Sequence, residues 1–123
     1  MIYADTDFFL ALLKPSDWLK KNAERIKTEH EGDISTSEVA FIELLLLSKR
    51  FHLDPVKLTS AVMAICNIDD DKYLKAAINI VKGGNVFDAF HAAHCDGTII
   101  SSDDVFEKLF GLKRIPLETM PDP

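Results

Sequence analysis

Short apolar runs alternate with longer segments of helical spacing, and this alternation constrains the fold more than any other feature of the chain. The strand-type runs are "MIYA", "GDISTS", "CNI", "TIIS" and "LKRIPL". Parallel strands need long crossover connections, which the intervening helices provide. We therefore expect an α/β protein, a three-layer sandwich with a mostly parallel central sheet of about 4–5 short strands flanked by helices.

Length and composition predict one domain. The chain has 123 residues, of which 47% are hydrophobic and 28% charged, as is usual for a globular protein. We expect a single domain over residues 1–118 and a loose C-terminal tail at 119–123. No apolar run is long enough to span a membrane, and the first residues carry no basic leader, so we expect a cytoplasmic protein. There, Cys66 and Cys95 would remain reduced.

The charge balance limits the kinds of partner. The chain has 20 acidic and 14 basic side chains and a formal net charge of −6. This balance argues against binding nucleic acid through a broad basic face. The densest basic patch lies in "SDWLKKNAERIKTEH", a predicted helix with Ser16 as its N-cap, and a solvated helix face is its usual interpretation. A cation would have to mediate close contact with phosphate.

Carboxylates recur at the ends of the most apolar elements. Asp5 and Asp103 follow strand-type runs, and the carboxyl ends of parallel strands form the binding crevice of such sheets. Asp88 falls in the first turn of a helix, and Asp104 follows Asp103 directly. Glu43 stands among apolar neighbours, where a carboxylate needs a strong partner. Together these acids resemble a cage for a divalent ion, and hard oxygen ligands favour Mg²⁺ or Mn²⁺.

Each acid also has a structural interpretation. Asp5 matches an N-cap, and Asp88 matches an acid stabilised by the helix dipole. We leave Glu38 outside the site because Ser35-x-x-Glu38 has the spacing of a capping box.

Zinc is a weaker alternative for the metal. His91 and Cys95 are i,i+4 neighbours with His94 between them, but no second ligand pair has matching spacing. We expect these side chains to line the core and its rim.

Four blocks of sequence, in order, resemble a PIN domain: "IYADTDFFLALL", "STSEVAFIELLLL", "VFDAFHAAHCDGTIISSDDVF" and "GLKRIPL". The closest type is the VapC-like toxin ribonuclease. The resemblance implies that the catalytic acids are Asp5, Glu43, Asp88 and Asp103. Thr6 matches a small hydroxyl position of the family. Asp7 departs from the commoner Ser or Asn, and Val105 stands where many members have an acid, so Asp104 is a candidate replacement ligand.

The same resemblance implies a mechanism and partners. One or two Mg²⁺ or Mn²⁺ ions would activate water for hydrolysis of single-stranded RNA, leaving a 5′-phosphate and a 3′-hydroxyl. It also implies a homodimer and a small antitoxin protein over the crevice. Our candidates for holding the RNA backbone are five basic residues: Lys14, Lys20, Lys21, Arg25 and Lys27.

Two other functions fit parts of the sequence. "IYADTDFF" also matches the start of a haloacid-dehalogenase-like phosphatase, with Asp5 as nucleophile and Asp7 as acid/base, although this chain is short for that fold. The third interpretation is a catalytically silent PIN-like binding module whose acids only cap helices.

Overall fold

Four short strands form two small parallel sheets in the computed structural model, which describes residues 1–118. The predicted tail at 119–123 lies outside the described residues. β1 (Ile2–Tyr3) pairs with β2 (Ile34–Ser35), and β3 (Thr98–Ser101) pairs with β4 (Lys113–Pro116). The strands predicted from "TIIS" and "LKRIPL" are confirmed.

Helices occupy the segments between these strands, which confirms the α/β class. The helices within residues 1–118 are α1 (Thr6–Leu13), α2 (Lys20–Glu29), α3 (Glu38–Ser48), α4 (Pro55–Cys66), α5 (Lys72–Val81), α6 (Val86–His94) and α7 (Val105–Lys108). The sequence "DPVKLTSAVMAI" predicts a helix that begins near Asp54 and Pro55. The structure confirms this start: Pro55 is the first residue of α4, and the Asp54 carboxylate accepts the N–H groups of Val56 at 2.9 Å and Lys57 at 3.1 Å.

The single central sheet that we expected is not present in residues 1–118. β1 bonds only to β2, and β3 bonds only to β4, so the chain forms two separate two-stranded sheets. The predicted strand "CNI" is wrong. Cys66 is the last residue of α4, and Asn67 ends that helix in the left-handed conformation, with φ of 53°.

The core lies among α1, α3, α4, α5 and α6. Phe9, Phe41, Leu44 and Val62 are almost completely buried in it. The ring of Phe41 stacks on Tyr73 with centroids 4.0 Å apart, which joins α3 to α5. This core holds α3 and α6, which carry two of the candidate acids, against each other.

Two predicted helix starts are wrong. α2 begins at Lys20 instead of near Ser16, because the Asp17 carboxylate accepts the N–H of Leu19 at 2.9 Å and holds a turn before the helix. Ser35 belongs to β2, so it does not form a capping box with Glu38; the N-cap of α3 is Ser37, whose side chain makes no capping bond.

Candidate functional site

Asp5 lies at the carboxyl end of β1 and caps α1. Its Oδ1 accepts the N–H of Asp7 at 3.0 Å, so the capping role is confirmed, and both Asp5 and Asp7 remain exposed. Thr6 is 8% exposed, and its hydroxyl has no hydrogen-bond partner within residues 1–118. A buried hydroxyl without a partner is costly, so the chain beside Asp5 retains unused capacity to bind a polar ligand.

A contact between Glu38 and His94 shows which ends of α3 and α6 lie together. Their Oε1 and Nε2 atoms are 2.7 Å apart, which joins the start of α3 to the end of α6. At the other end, Leu45 and Leu46 of α3 share a cavity with Val86 of α6. The two helices therefore run antiparallel.

Because the helices are antiparallel, Glu43 and Asp88 lie at about the same height along the two helix axes. Glu43 is about 7.5 Å along α3 from Glu38, and Asp88 is about 9 Å along α6 from His94, at about 1.5 Å per residue. Patterns in the sequence assigned Glu38 to a helix cap and did not identify His94 as its partner. Because the pair is separated by 56 residues, no local pattern could have revealed it.

Glu43 is exposed, which corrects the expectation that an apolar face encloses it. Val39 and Leu46, on the same side of α3, are 61% and 49% exposed. The helix is therefore not covered all round, and the Glu43 carboxylate needs no buried partner. It stands free at the surface beside two apolar side chains.

Asp88 is half-buried in the first turn of α6. Asn85 Nδ2 donates to its Oδ2 at 2.7 Å, while Asn85 Oδ1 accepts the Asp88 N–H at 2.8 Å. Asn85 is thus the side-chain N-cap of α6, and its amide also binds the Asp88 carboxylate. Asn85 was not among the predicted site residues, although Asn three residues before an acid at a helix start is a signal for such a cap.

Asp103 and Asp104 have different surroundings. Asp103 Oδ1 accepts only the N–H of Val105, at 2.9 Å. Asp104 Oδ2 is 2.6 Å from Lys108 Nζ, and that hydrogen bond and charge lower the pKa of the Asp104 carboxyl. Asp103 is thus the acid of the pair whose charge no basic side chain in residues 1–118 neutralises.

The four family-matched acids share this lack of a basic partner. Within residues 1–118, Asp5, Glu43, Asp88 and Asp103 form no salt bridge. Their oxygen-donor chemistry and the unused Thr6 hydroxyl fit a hard divalent ion. In the described residues, however, no three Asp, Glu, His or Cys side chains are gathered into a preformed metal-binding group. The same holds for the zinc alternative, because His91, His94 and Cys95 do not form such a group either.

The five basic residues predicted to bind RNA differ in whether their charges are already engaged within the protein. Lys20 Nζ donates to the carbonyls of Leu12 and Lys14 at 2.6 and 2.8 Å, where it closes the end of α1. Lys14 pairs with Asp17 at 3.2 Å, and Arg25 pairs with Glu29 at 3.0 Å. Of the five candidates, Lys21 and Lys27 are exposed without a salt bridge in the described part of the chain.

Comparison with known protein families identifies the family of the chain. The family model described as PIN domain matches residues 2–111, a range that includes all four elements carrying the candidate acids. The chain belongs to the PIN-domain family. PIN domains are generally nucleases and typically use divalent metal ions. Searches of curated proteins and of solved structures gave no match. No helix in residues 1–118 of this PIN domain is both long and apolar enough to cross a membrane.

Proposed function

We propose that this PIN domain is a Mg²⁺- or Mn²⁺-dependent endoribonuclease that hydrolyses phosphodiester bonds of single-stranded RNA. The observation that carries the proposal is the match of the PIN-domain family model to residues 2–111. The four acids that the family resemblance identifies, Asp5, Glu43, Asp88 and Asp103, have no basic partner in residues 1–118, whereas the neighbouring Asp104 is paired with Lys108. At these positions, unneutralised carboxylates are available to a divalent ion.

Each residue would have a distinct role. Asp5, Asp88 and Asp103 would hold the ion, which when bound would supply positive charge for a phosphodiester oxygen and activation of the attacking water. Glu43 is exposed and level with Asp88, where its carboxylate would orient that water and accept its proton. The Thr6 hydroxyl would donate a hydrogen bond beside Asp5, and Asn85 would keep the Asp88 carboxylate in place.

RNA binding would rest on few charges. Lys21 and Lys27 are free to contact the backbone, whereas Lys14 and Lys20 are engaged in closing α1. With a net charge of −6, the protein repels phosphate at long range, so the bound ion would supply much of the attraction.

A toxin role is the finer part of the proposal. Val39 and Leu46 flank Glu43, and Phe87, which is 58% exposed, precedes Asp88. Exposed apolar side chains around the candidate site would suit a small antitoxin chain that covers it in the cytoplasm. Induced expression should then arrest growth with the wild type and not with Asp5→Asn. Growth arrest by both proteins would contradict a nuclease toxin.

The test is cleavage of a mixed single-stranded RNA pool with Mn²⁺, Mg²⁺ or EDTA. Asp5→Asn and Asp88→Asn should abolish metal-dependent cleavage. Asp69→Asn is the matched control, because Asp69 is exposed and makes no hydrogen bond or salt bridge within residues 1–118. A folded wild type that neither binds Mn²⁺ nor cuts RNA would contradict the proposal and favour the silent binding module.

A further inference from the structure

Two chain segments rich in basic residues meet where α1 and α3 end. We call this region the basic surface, and it consists of residues 14–21 and 49–57. Lys14, just after α1, places its Nζ 4.6 Å from the centre of the Phe51 ring, which follows α3. Leu13 of α1 also shares a cavity with Lys57 of α4. The two segments therefore form one continuous surface.

The basic surface carries positive charge in a chain that is acidic overall. Its acids are Asp17 and Asp54, and its basic residues are Lys14, Lys20, Lys21, Lys49, Arg50 and Lys57. It thus has an excess of four positive charges, although the formal net charge of the chain is −6. Lys21 and the three basic residues of 49–57 are exposed and form no salt bridge within residues 1–118. Such a surface attracts polyanions.

Helix ends account for the position of these charges, but not for Trp18. Cations are stabilised near the carboxyl end of a helix, and α1 and α3 both end at this surface. Trp18 is 90% exposed and is the only tryptophan of the chain. The ring of Phe51, by contrast, already lies beneath Lys14 and Arg50, with their charged groups 4.6 and 5.6 Å from its centre. Trp18 is therefore the aromatic ring that this surface leaves open to a ligand.

Hydrogen bonds hold the backbone on both sides of Trp18. The Asp17 carboxylate accepts the N–H of Leu19 at 2.9 Å and the Lys14 ammonium at 3.2 Å. The Asp17 carbonyl also accepts the N–H of Lys20, the first residue of α2, at 3.1 Å. The turn is thus tied to both flanking helices. A residue that is already held in place loses little conformational entropy when it binds a ligand.

The basic surface is near enough to the candidate acids for one nucleic-acid strand to reach both. Asp5 caps the start of α1 and Lys14 follows its end, about 13 Å away at 1.5 Å per residue. Glu43 precedes Lys49 by about 9 Å along α3. A stacked strand rises about 3.4 Å per nucleotide, so about four nucleotides cover the longer of these distances.

We propose that the basic surface is a second contact site for single-stranded RNA, in which Trp18 stacks on a base and the exposed cations bind phosphates. Proteins hold single strands by combining basic residues with aromatic rings, because every base has a flat face on which a ring can stack. The site adds to the contacts of Lys21 and Lys27. Its choice of RNA as the ligand rests on the proposed function, but the contact needs neither metal nor cleavage.

The fluorescence of Trp18 tests the contact directly, because no other tryptophan contributes to the signal. Single-stranded oligouridine, added in EDTA to prevent metal-dependent cleavage, should quench this fluorescence by stacking on the ring. The same strand annealed to oligoadenosine should quench it less, because paired bases are not free to stack on a side chain. An abasic strand of equal length should bind through its phosphates without quenching.

Three results of this titration would overturn the proposal. Oligouridine that does not bind, or that binds and leaves the Trp18 fluorescence unchanged, would show that RNA does not use this surface. Equal quenching by the abasic strand would show that no base stacks there. Equal quenching by polyglutamate would identify a docking surface for an acidic protein instead of RNA.

Substitution of Trp18 measures what the ring contributes. Trp18→Ala should weaken the binding of end-labelled oligouridine about 5- to 150-fold, the effect of losing one stacked base. Trp18→Phe should keep most of the affinity, because a smaller ring still stacks. Neither change should lower the free energy of unfolding, since the side chain is exposed. Unchanged affinity in a folded Trp18→Ala protein would contradict the stacking contact.

A pair of charge substitutions tests the phosphate contacts. Lys49→Gln with Arg50→Gln should reduce the salt dependence of oligouridine binding by about 1.4 logarithmic units per decade of salt. Lys82→Gln with Lys113→Gln is the matched control, because it removes the same charge from exposed lysines that form no salt bridge within residues 1–118. The same reduction with both pairs would show a general effect of net charge and overturn the site.

Cleavage kinetics separate this proposal from the proposed function. Trp18→Ala should raise the KM for a long single strand and leave kcat unchanged, because the ring is remote from the candidate acids. A lower kcat with the same KM would contradict a binding role. A wild type whose fluorescence oligouridine quenches but which cuts no RNA would contradict the nuclease function and leave the RNA contact standing. Cleavage without quenching would do the reverse.

Discussion

Gly84→Ala tests the contact that fixes the β3–α7–β4 segment to the helical core. Gly84 does not have a positive φ, so alanine fits its backbone, and the lost chain entropy alone would stabilise the fold by about 0.4–1 kcal/mol. The new Cβ would lie 2.5 Å from Cζ and 2.9 Å from Cε1 of Phe110, and 3.1 Å from the Asn79 carbonyl oxygen. Overpacking of this kind costs about 1–3 kcal/mol. We therefore expect a net loss of about 1 kcal/mol.

The measurement is the free energy of unfolding from urea titration, followed by circular dichroism at 25 °C. Phe110→Leu supplies the control, because a shorter side chain leaves room for the Cβ. In that background Gly84→Ala should be neutral or stabilising. The reasoning is refuted if Gly84→Ala is as stable as the wild type, or if its cost is the same with and without the Phe110 ring.

Three further predictions concern other contacts. Thr59 is 1% exposed and its hydroxyl has no partner in residues 1–118, so Thr59→Val should raise the free energy of unfolding by about 1 kcal/mol. Thr6→Val should not destabilise the fold but should weaken Mn²⁺ binding, measured by calorimetry. Thr59→Val is the control, because it should leave Mn²⁺ binding unchanged. The Leu19 N–H and Lys14 hold the pKa of Asp17 below its usual value, so the charged form stabilises the fold above the ordinary pKa of an aspartate. The stability advantage over Asp17→Asn should disappear in denaturation curves as the pH falls through the lowered pKa. Replacing Lys21 and Lys27 with Gln should reduce the salt dependence of RNA binding by about 1.4 logarithmic units per decade of salt; an unchanged slope would exclude both lysines from the RNA contact.

Local signals predicted much of the secondary structure, but not which elements come together. Apolar runs such as "TIIS" and the Asp54–Pro55 start of α4 depend on neighbours in sequence, so the pattern identified them. Glu43 was misjudged because helical spacing shows which residues share a face and not whether another element covers that face. The pairing of Glu38 with His94 and the division of the strands into two sheets depend on packing between distant segments.

The family resemblance identified candidate acids that the periodicity could not rank. Asp103 and Asp104 are equivalent in the sequence pattern. The structure distinguishes them, because Lys108 follows Asp104 by one helical turn and neutralises it. The charge of Asp104 thus depends on a basic residue one helical turn further along, which the sequence already contains.

Asp5 combines a structural and a proposed chemical role, which decides how it must be tested. Its carboxylate caps α1 through the Asp7 N–H, and replacing such a cap with alanine costs about 0.5–2 kcal/mol. Asparagine caps a helix as well as aspartate but carries no charge. Asp5→Asn should therefore keep the wild-type free energy of unfolding and lose Mn²⁺ binding. Asp5→Ala should both lower the free energy of unfolding and lose Mn²⁺ binding. Retained Mn²⁺ binding in a stable Asp5→Asn protein would mean that this carboxylate is only a helix cap.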